Sequence, residues 1–197
     1  LLLELLDNYY RSLFDDLIIS LYHKIKGVSN KEESTKIFIV TIRKWASFLK
    51  KGGKDKLSKE IILGLYGEMI VLEEHLRLAD SNNVDEILNA WQGPYNASTD
   101  FEFESINEEV KTISNEATSV SISSEFQLDD SVGKKLKLTV VRVDLENGAD
   151  TISRLLSRLR KKIIEINGDV AIILNALSQK GIFLKNIEIY EVYNFQA

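Results

Sequence analysis

The chain has 197 residues, with 25 basic and 30 acidic side chains, one proline and no cysteine. That length can bury a substantial core as one domain, or as one domain with a helical extension. The absence of cysteine excludes disulfides, a thiol nucleophile and cysteine-ligated zinc, which leaves oxygen atoms or the two histidines to hold any metal.

From Leu1 to about Ile25 the apolar residues Leu2, Leu5, Leu6, Tyr9, Leu13, Leu17, Leu21 and Ile25 recur at helical steps, predicting a first helix. Leu1 is not an initiator methionine, so the sequence reads as a fragment or a processed product, and nothing at its start resembles a signal peptide. A second helix is expected over about 33–49, ending at KKGGKDK, where two glycines stop it and four lysines crowd a loop. Ser58 is placed to cap a third helix reaching about Leu78, and a short helical piece ends near Trp91.

Beyond the turn-forming WQGPYNAST the period becomes two. DFEFE, EEVKTI, VSISS and LKLTVVRVDL are strand candidates, with a hairpin joining the first two through Ser105 to Glu108. Helices are expected over 151–167 and 169–178, followed after Gly181 by a terminal strand, IFLKNIEIYEVYNF. The order is that of an α/β (α+β) protein with a helical N-terminal part. No apolar run approaches the roughly 20 residues that span a bilayer, so no membrane partner and a cytoplasmic location are expected.

The net charge of −5 argues at first against a nucleic-acid partner. The acidity is local, however. Asp100 to Asp130 hold nine acidic residues and one basic residue, Lys111, while the rest of the chain carries 24 basic and 21 acidic residues.

Within that acidic stretch, alternation sends Asp100, Glu102 and Glu104 to one side of a strand and Phe101 and Phe103 to the other. Glu109 and Lys111 share a face of the next run, and if the two strands pair, Asp100, Glu109 and Lys111 converge. An Asp and a Glu so placed suit a hard divalent cation such as Mg2+, and a lysine beside them can orient a metal-bound water. The same alternation also describes an ordinary half-exposed strand. Glu68 adds weight from elsewhere in the chain, because it lies at the edge of the apolar stripe Ile61, Leu65, Met69, Leu72 and Leu76, where a carboxylate requires a partner. His75, on the same side, reads as a helix-edge histidine.

Gly67-Glu68 in an amphipathic helix, then Trp91, Gly93 and Pro94, then Asp100-Phe101 and Glu109-Val110-Lys111-Thr112, together resemble the PD-(D/E)XK nuclease superfamily, closest to a branch associated with restriction and phage defence. The motifs span about Ser58 to Asp144. The resemblance implies a restriction-endonuclease-like core over 58–197, with a mixed central sheet flanked by helices, behind an N-terminal helical region over 1–57. It implies Asp100 and Glu109 as metal ligands, the Val110 carbonyl as a further ligand, Lys111 as the residue assisting the attacking water, and Glu68 as a helix carboxylate near the metal. Gln127 matches a polar residue that some members add to the site. In one departure, Thr99 directly precedes Asp100, and Pro94 lies six residues earlier.

The activity implied is Mg2+-dependent DNA endonuclease cleavage, with Mn2+ as a substitute metal and with a homodimer or other defence-system subunits as partners. Arg154, Arg158, Lys161, Lys162 and the lysines from Lys50 to Lys56 are candidate phosphate contacts. The alternative is a catalytically silent subunit of the same fold, serving DNA binding or assembly. No P-loop, G-x-G-x-x-G, G-x-S-x-G or H-E-x-x-H motif occurs.

Overall fold

In the computed structural model, residues 2–50, 56–122, 134–183 and 186–197 are described, with side chains at all of these but 47–50. Four helices come first: α1 (Arg11–Ile25), α2 (Lys31–Lys50), α3 (Lys59–Arg77) and α4 (Val84–Ala90). Strands β1 (Phe101–Glu102), β2 (Ile106–Ile113), β3 (Lys135–Arg142) and β4 (Asp144–Asp150) follow, then α5 (Ile152–Glu165), α6 (Val170–Gln179) and β5 (Phe195–Gln196). The fold is mixed α/β, with a small mixed sheet flanked by helices, as the order of elements predicts. No helix among the described residues is long and apolar enough to cross a membrane.

Helix α3 is the central support. Ser58 caps it, its Oγ accepting the Ile61 N–H at 3.4 Å. Leu65, Met69, Leu72 and Leu76 are buried as expected, but Ile61 is exposed and Ile62 takes its place, so the apolar face is turned by one residue. The helix packs against α5 on one side and β2 on the other. In α5 the stripe Ile152, Leu155, Leu156, Leu159 and Ile163 is fully buried, and each such side chain contributes about 1.5–3 kcal/mol relative to exposure.

The sheet order is β1-β2-β3, with β1 and β2 antiparallel and β2 and β3 parallel. Phe101 lies opposite Glu108 and Glu102 opposite Asn107. The hairpin turns earlier than Ser105–Glu108, because the Phe103 N–H already bonds the Ile106 carbonyl at 2.9 Å and β2 starts there.

Four further expectations are corrected. Among the described residues the first helix begins only at Arg11. Asp7 accepts the Tyr9 N–H at 2.9 Å and caps a short 3-10 turn, leaving Leu2 and Leu6 in the solvent. LKLTVVRVDL is divided at Val143 between β3 and β4, and Val120–Ile122 of VSISS form no strand. The long terminal strand is replaced by a 3-10 turn, Ile187–Tyr190, and the two-residue β5. The reason is Asn186, whose side chain accepts the Phe183 N–H at 2.8 Å and donates to the Gly181 carbonyl at 3.0 Å. This turn buries Ile187 and Tyr190, three apart, on one side.

The first two helices pack onto the same core. Leu13, Leu17, Leu21 and Trp45 join the cluster built by α3, α5 and α6. Lys24 and Lys44 both pair with Asp169, the residue whose side chain caps α6 by accepting the Ala171 N–H at 3.1 Å. Arg160 of α5 pairs with Asp16 of α1, and the Leu57 N–H donates to the Tyr190 hydroxyl at 3.1 Å.

Candidate active site

The β1–β2 ladder ends one residue before Asp100 would face Glu109. There the Asp100 side chain replaces the missing strand: its Oδ2 accepts the Val110 N–H at 2.7 Å. The Asp100 carbonyl accepts two more bonds, from the N–H groups of Gln92 at 2.8 Å and Gly93 at 2.9 Å, which fixes the residue from both sides. A strand residue presents its N–H and C=O to the same neighbour, so the Val110 carbonyl opens on the Asp100 edge as well.

Glu109 and Lys111 project from one face of β2, and Lys111 Nζ donates to Glu109 Oε1 at 2.7 Å. The Glu109 carboxylate is almost entirely buried. Glu68 reaches the same place from α3, its Oε2 accepting the indole N–H of the fully buried Trp91 at 2.8 Å. The approach of α3 to β2 depends on Gly67, where a Cβ would stand 1.9 Å from Thr112 Oγ1.

Gly93 closes the arrangement. A Cβ there would lie 2.3 Å from Glu68 Oε2 and 2.9 Å from Asp100 Oδ1. The two carboxylates are therefore neighbours across a position that only glycine fits. Burial, reinforced by the negative charges of Asp100 and Glu109, pushes the Glu68 carboxyl up to about 8, against the Trp91 hydrogen bond that holds it down. Burial also pushes Asp100 up to about 6; the Val110 N–H opposes this and the Glu109 charge adds to it. Crowded carboxylates whose titration is shifted by burial and by one another are the electrostatic mark of a functional site.

The four residues Glu68, Asp100, Glu109 and Lys111 are thus brought together, with the Val110 backbone beside them. Gln127 lies outside the described residues, as do Lys51 and Lys54 and the side chain of Lys50. Among the candidate phosphate contacts, Arg158 is tied to Glu73 and Asp150 at 2.8 Å and 2.6 Å. Arg154 donates to the Ala149 carbonyl at 3.1 Å.

A second polar cluster, to which the sequence analysis assigns no role, lies on the opposite face of β2. Glu108, fully buried, accepts from Lys137 at 2.8 Å and from the Thr139 hydroxyl, and meets His75 Nε2 at 2.9 Å. Burial alone would raise its carboxyl, but the bonds to His75, Lys137 and Thr139 outweigh that and bring it to about 2. The signal was present in the sequence: Glu108 alternates with Val110 on the inward face, and His75 lies on the helix that covers it.

Among the described residues no three His, Asp or Glu side chains close round a point tightly enough to cage a metal alone. Mg2+ does not require such a cage, since it is commonly held by one or two carboxylates and keeps several waters. The all-oxygen donors here, the mutual repulsion of Glu68 and Asp100, and the space preserved at Gly93 fit a hard divalent cation.

A family model described as "Putative PD-(D/E)XK family member, (DUF4420)" matches residues 1–197, including the helices before Ser58 that the motifs leave out. No curated protein and no solved structure matches the chain.

Proposed function

The chain belongs to this PD-(D/E)XK family, whose superfamily is generally one of nucleases, and from that premise we propose that it is a metal-dependent DNA endonuclease of restriction or phage-defence type, acting in the cytoplasm. The observation that carries this reading is the meeting of Glu109 and Lys111 on β2 with Asp100, just before β1, and Glu68 from α3.

Asp100, Glu109 and the Val110 carbonyl would hold Mg2+ or Mn2+, with Glu68 beside them. A divalent cation supplies a water of lowered pKa and polarises the phosphate. Lys111, paired with Glu109, would orient the attacking water. Trp91 and the Val110 N–H fix the orientation of Glu68 and Asp100, so that little reorganisation is left for the reaction. Burial of Glu109 excludes competing bulk water from that side.

The test is plasmid cleavage with Mg2+ or Mn2+, comparing the native chain with Asp100→Ala and Lys111→Ala. Cleavage by the native chain, lost in both variants, is expected. Absence of cleavage with either metal, together with DNA or partner binding that the substitutions leave unaffected, would overturn the enzyme in favour of a silent subunit of the same fold.

A further inference from the structure

A site built on three neighbouring carboxylates repels a phosphodiester unless cations offset it. Lys111 is committed to Glu109 at 2.7 Å. A second cation stands on the other approach. Lys180 follows α6 as its C-cap, and α6 packs on the Gly93–Tyr95 turn. Lys180 Nζ donates to Asn96 Oδ1 at 2.8 Å. Asn96 has a left-handed backbone, φ 60°, and its N–H closes the turn onto the Gly93 carbonyl at 3.1 Å.

Gly93 in turn abuts Glu68 Oε2 and Asp100 Oδ1. Lys180 is thus one short turn from both carboxylates. Among the described residues Lys180 forms no ion pair, and its hydrogen bond goes to a neutral amide. A lysine held in place but not neutralised, beside half-buried acids, suits an anionic ligand.

We propose that Lys180 is a phosphate-binding residue of this site, contacting a backbone phosphodiester of the bound nucleic acid from the Asn96 side. The proposal rests on the nuclease reading and adds a residue to it. Asn96 is its positioning residue, presenting the ammonium without cancelling its charge.

The experiment is fluorescence anisotropy of a labelled DNA duplex in Ca2+, which allows binding without turnover, over a series of salt concentrations. Lys180→Ala is expected to weaken binding about tenfold and to reduce the slope of log K against log salt by about 0.9, the loss of one phosphate contact. Lys180→Arg should stay near native. Asn96→Gly, which keeps the positive φ, should weaken binding by less than Lys180→Ala. A purely structural role for Lys180 would instead lower the melting temperature and leave the salt slope unchanged. If the native chain cleaves plasmid and Lys180→Ala binds with native affinity and slope, the Lys180 assignment fails and the nuclease reading stands. If the native chain neither binds nor cleaves DNA, both fail together.

Discussion

The Trp91 indole N–H and Glu68 Oε2, 2.8 Å apart, form a hydrogen bond between two side chains 23 positions apart, the indole fully buried and the carboxylate partly so. It is the bond that opposes the rise of the Glu68 carboxyl. Trp91→Phe keeps an aromatic ring and deletes the donor. Leaving a buried polar group unpaired costs about 1–3 kcal/mol, so urea unfolding at pH 7 should show a loss of that size. A carbon-13 titration of Glu68 should show its carboxyl moving further above about 8.

Gly93→Ala tests the cradle directly. The added methyl would sit 2.3 Å from Glu68 Oε2 and 2.9 Å from Asp100 Oδ1, so both carboxylates must move. A displacement of about 1 Å at reacting groups can cost roughly 100-fold in rate. Plasmid cleavage should fall by at least that factor, while circular dichroism retains the native helix content.

The pH dependence of stability follows from the same crowding. Glu68 and Asp100 have folded-state values of about 8 and about 6, above their ordinary 4.5 and 3.8. Between those limits the folded chain holds more protons than the unfolded chain, so these groups make stability fall as pH rises from about 4 to about 8. Urea midpoints measured without metal should therefore be higher at pH 5.5 than at pH 8.5. Glu68→Gln should flatten that difference. Added Ca2+ should restore stability most at the alkaline end, where the carboxylates are ionised.

Glu108 should behave with the opposite sign. Its carboxyl is held near 2, below the ordinary 4.5, so its contribution is present above about pH 4.5 and disappears as pH falls toward 2. Glu108→Gln weakens bonds from His75, Lys137 and Thr139, and loss of one charged hydrogen bond costs about 1.5–3 kcal/mol. The check is urea unfolding at pH 7, with the loss shrinking as pH is lowered from about 4.5 toward 2.

The parts of the site that were legible in the sequence are those fixed by local geometry. Two-residue alternation placed Glu109 and Lys111 on one face, and the pairing of neighbouring strands brought Asp100 to them. Glu68 was legible because a carboxylate at the edge of an apolar stripe demands a partner, although the stripe itself is turned by one residue. Gly93 was legible only as part of a motif, and neither its place between two carboxylates nor Lys180 could be read, since both arise only when α6, the 93–95 turn and α3 meet. The terminal strand was misread because I-E-I-Y alternates like a strand, while Ile187 and Tyr190 are also spaced for a 3-10 turn. Asn186 selects the turn through two side-chain bonds to the backbone, which no periodicity reveals.

Asp169 and Lys180 bracket the ten residues of α6. One end is gripped by Lys24 and Lys44, and the other leans on Asn96. At 1.5 Å per residue this helix is a strut of about 15 Å. The first two helices therefore act as a splint whose effect is felt at a distance. Shortening the chain to start at Ser58 would unfasten the far end of the strut and so loosen the aim of Lys180 at its other end.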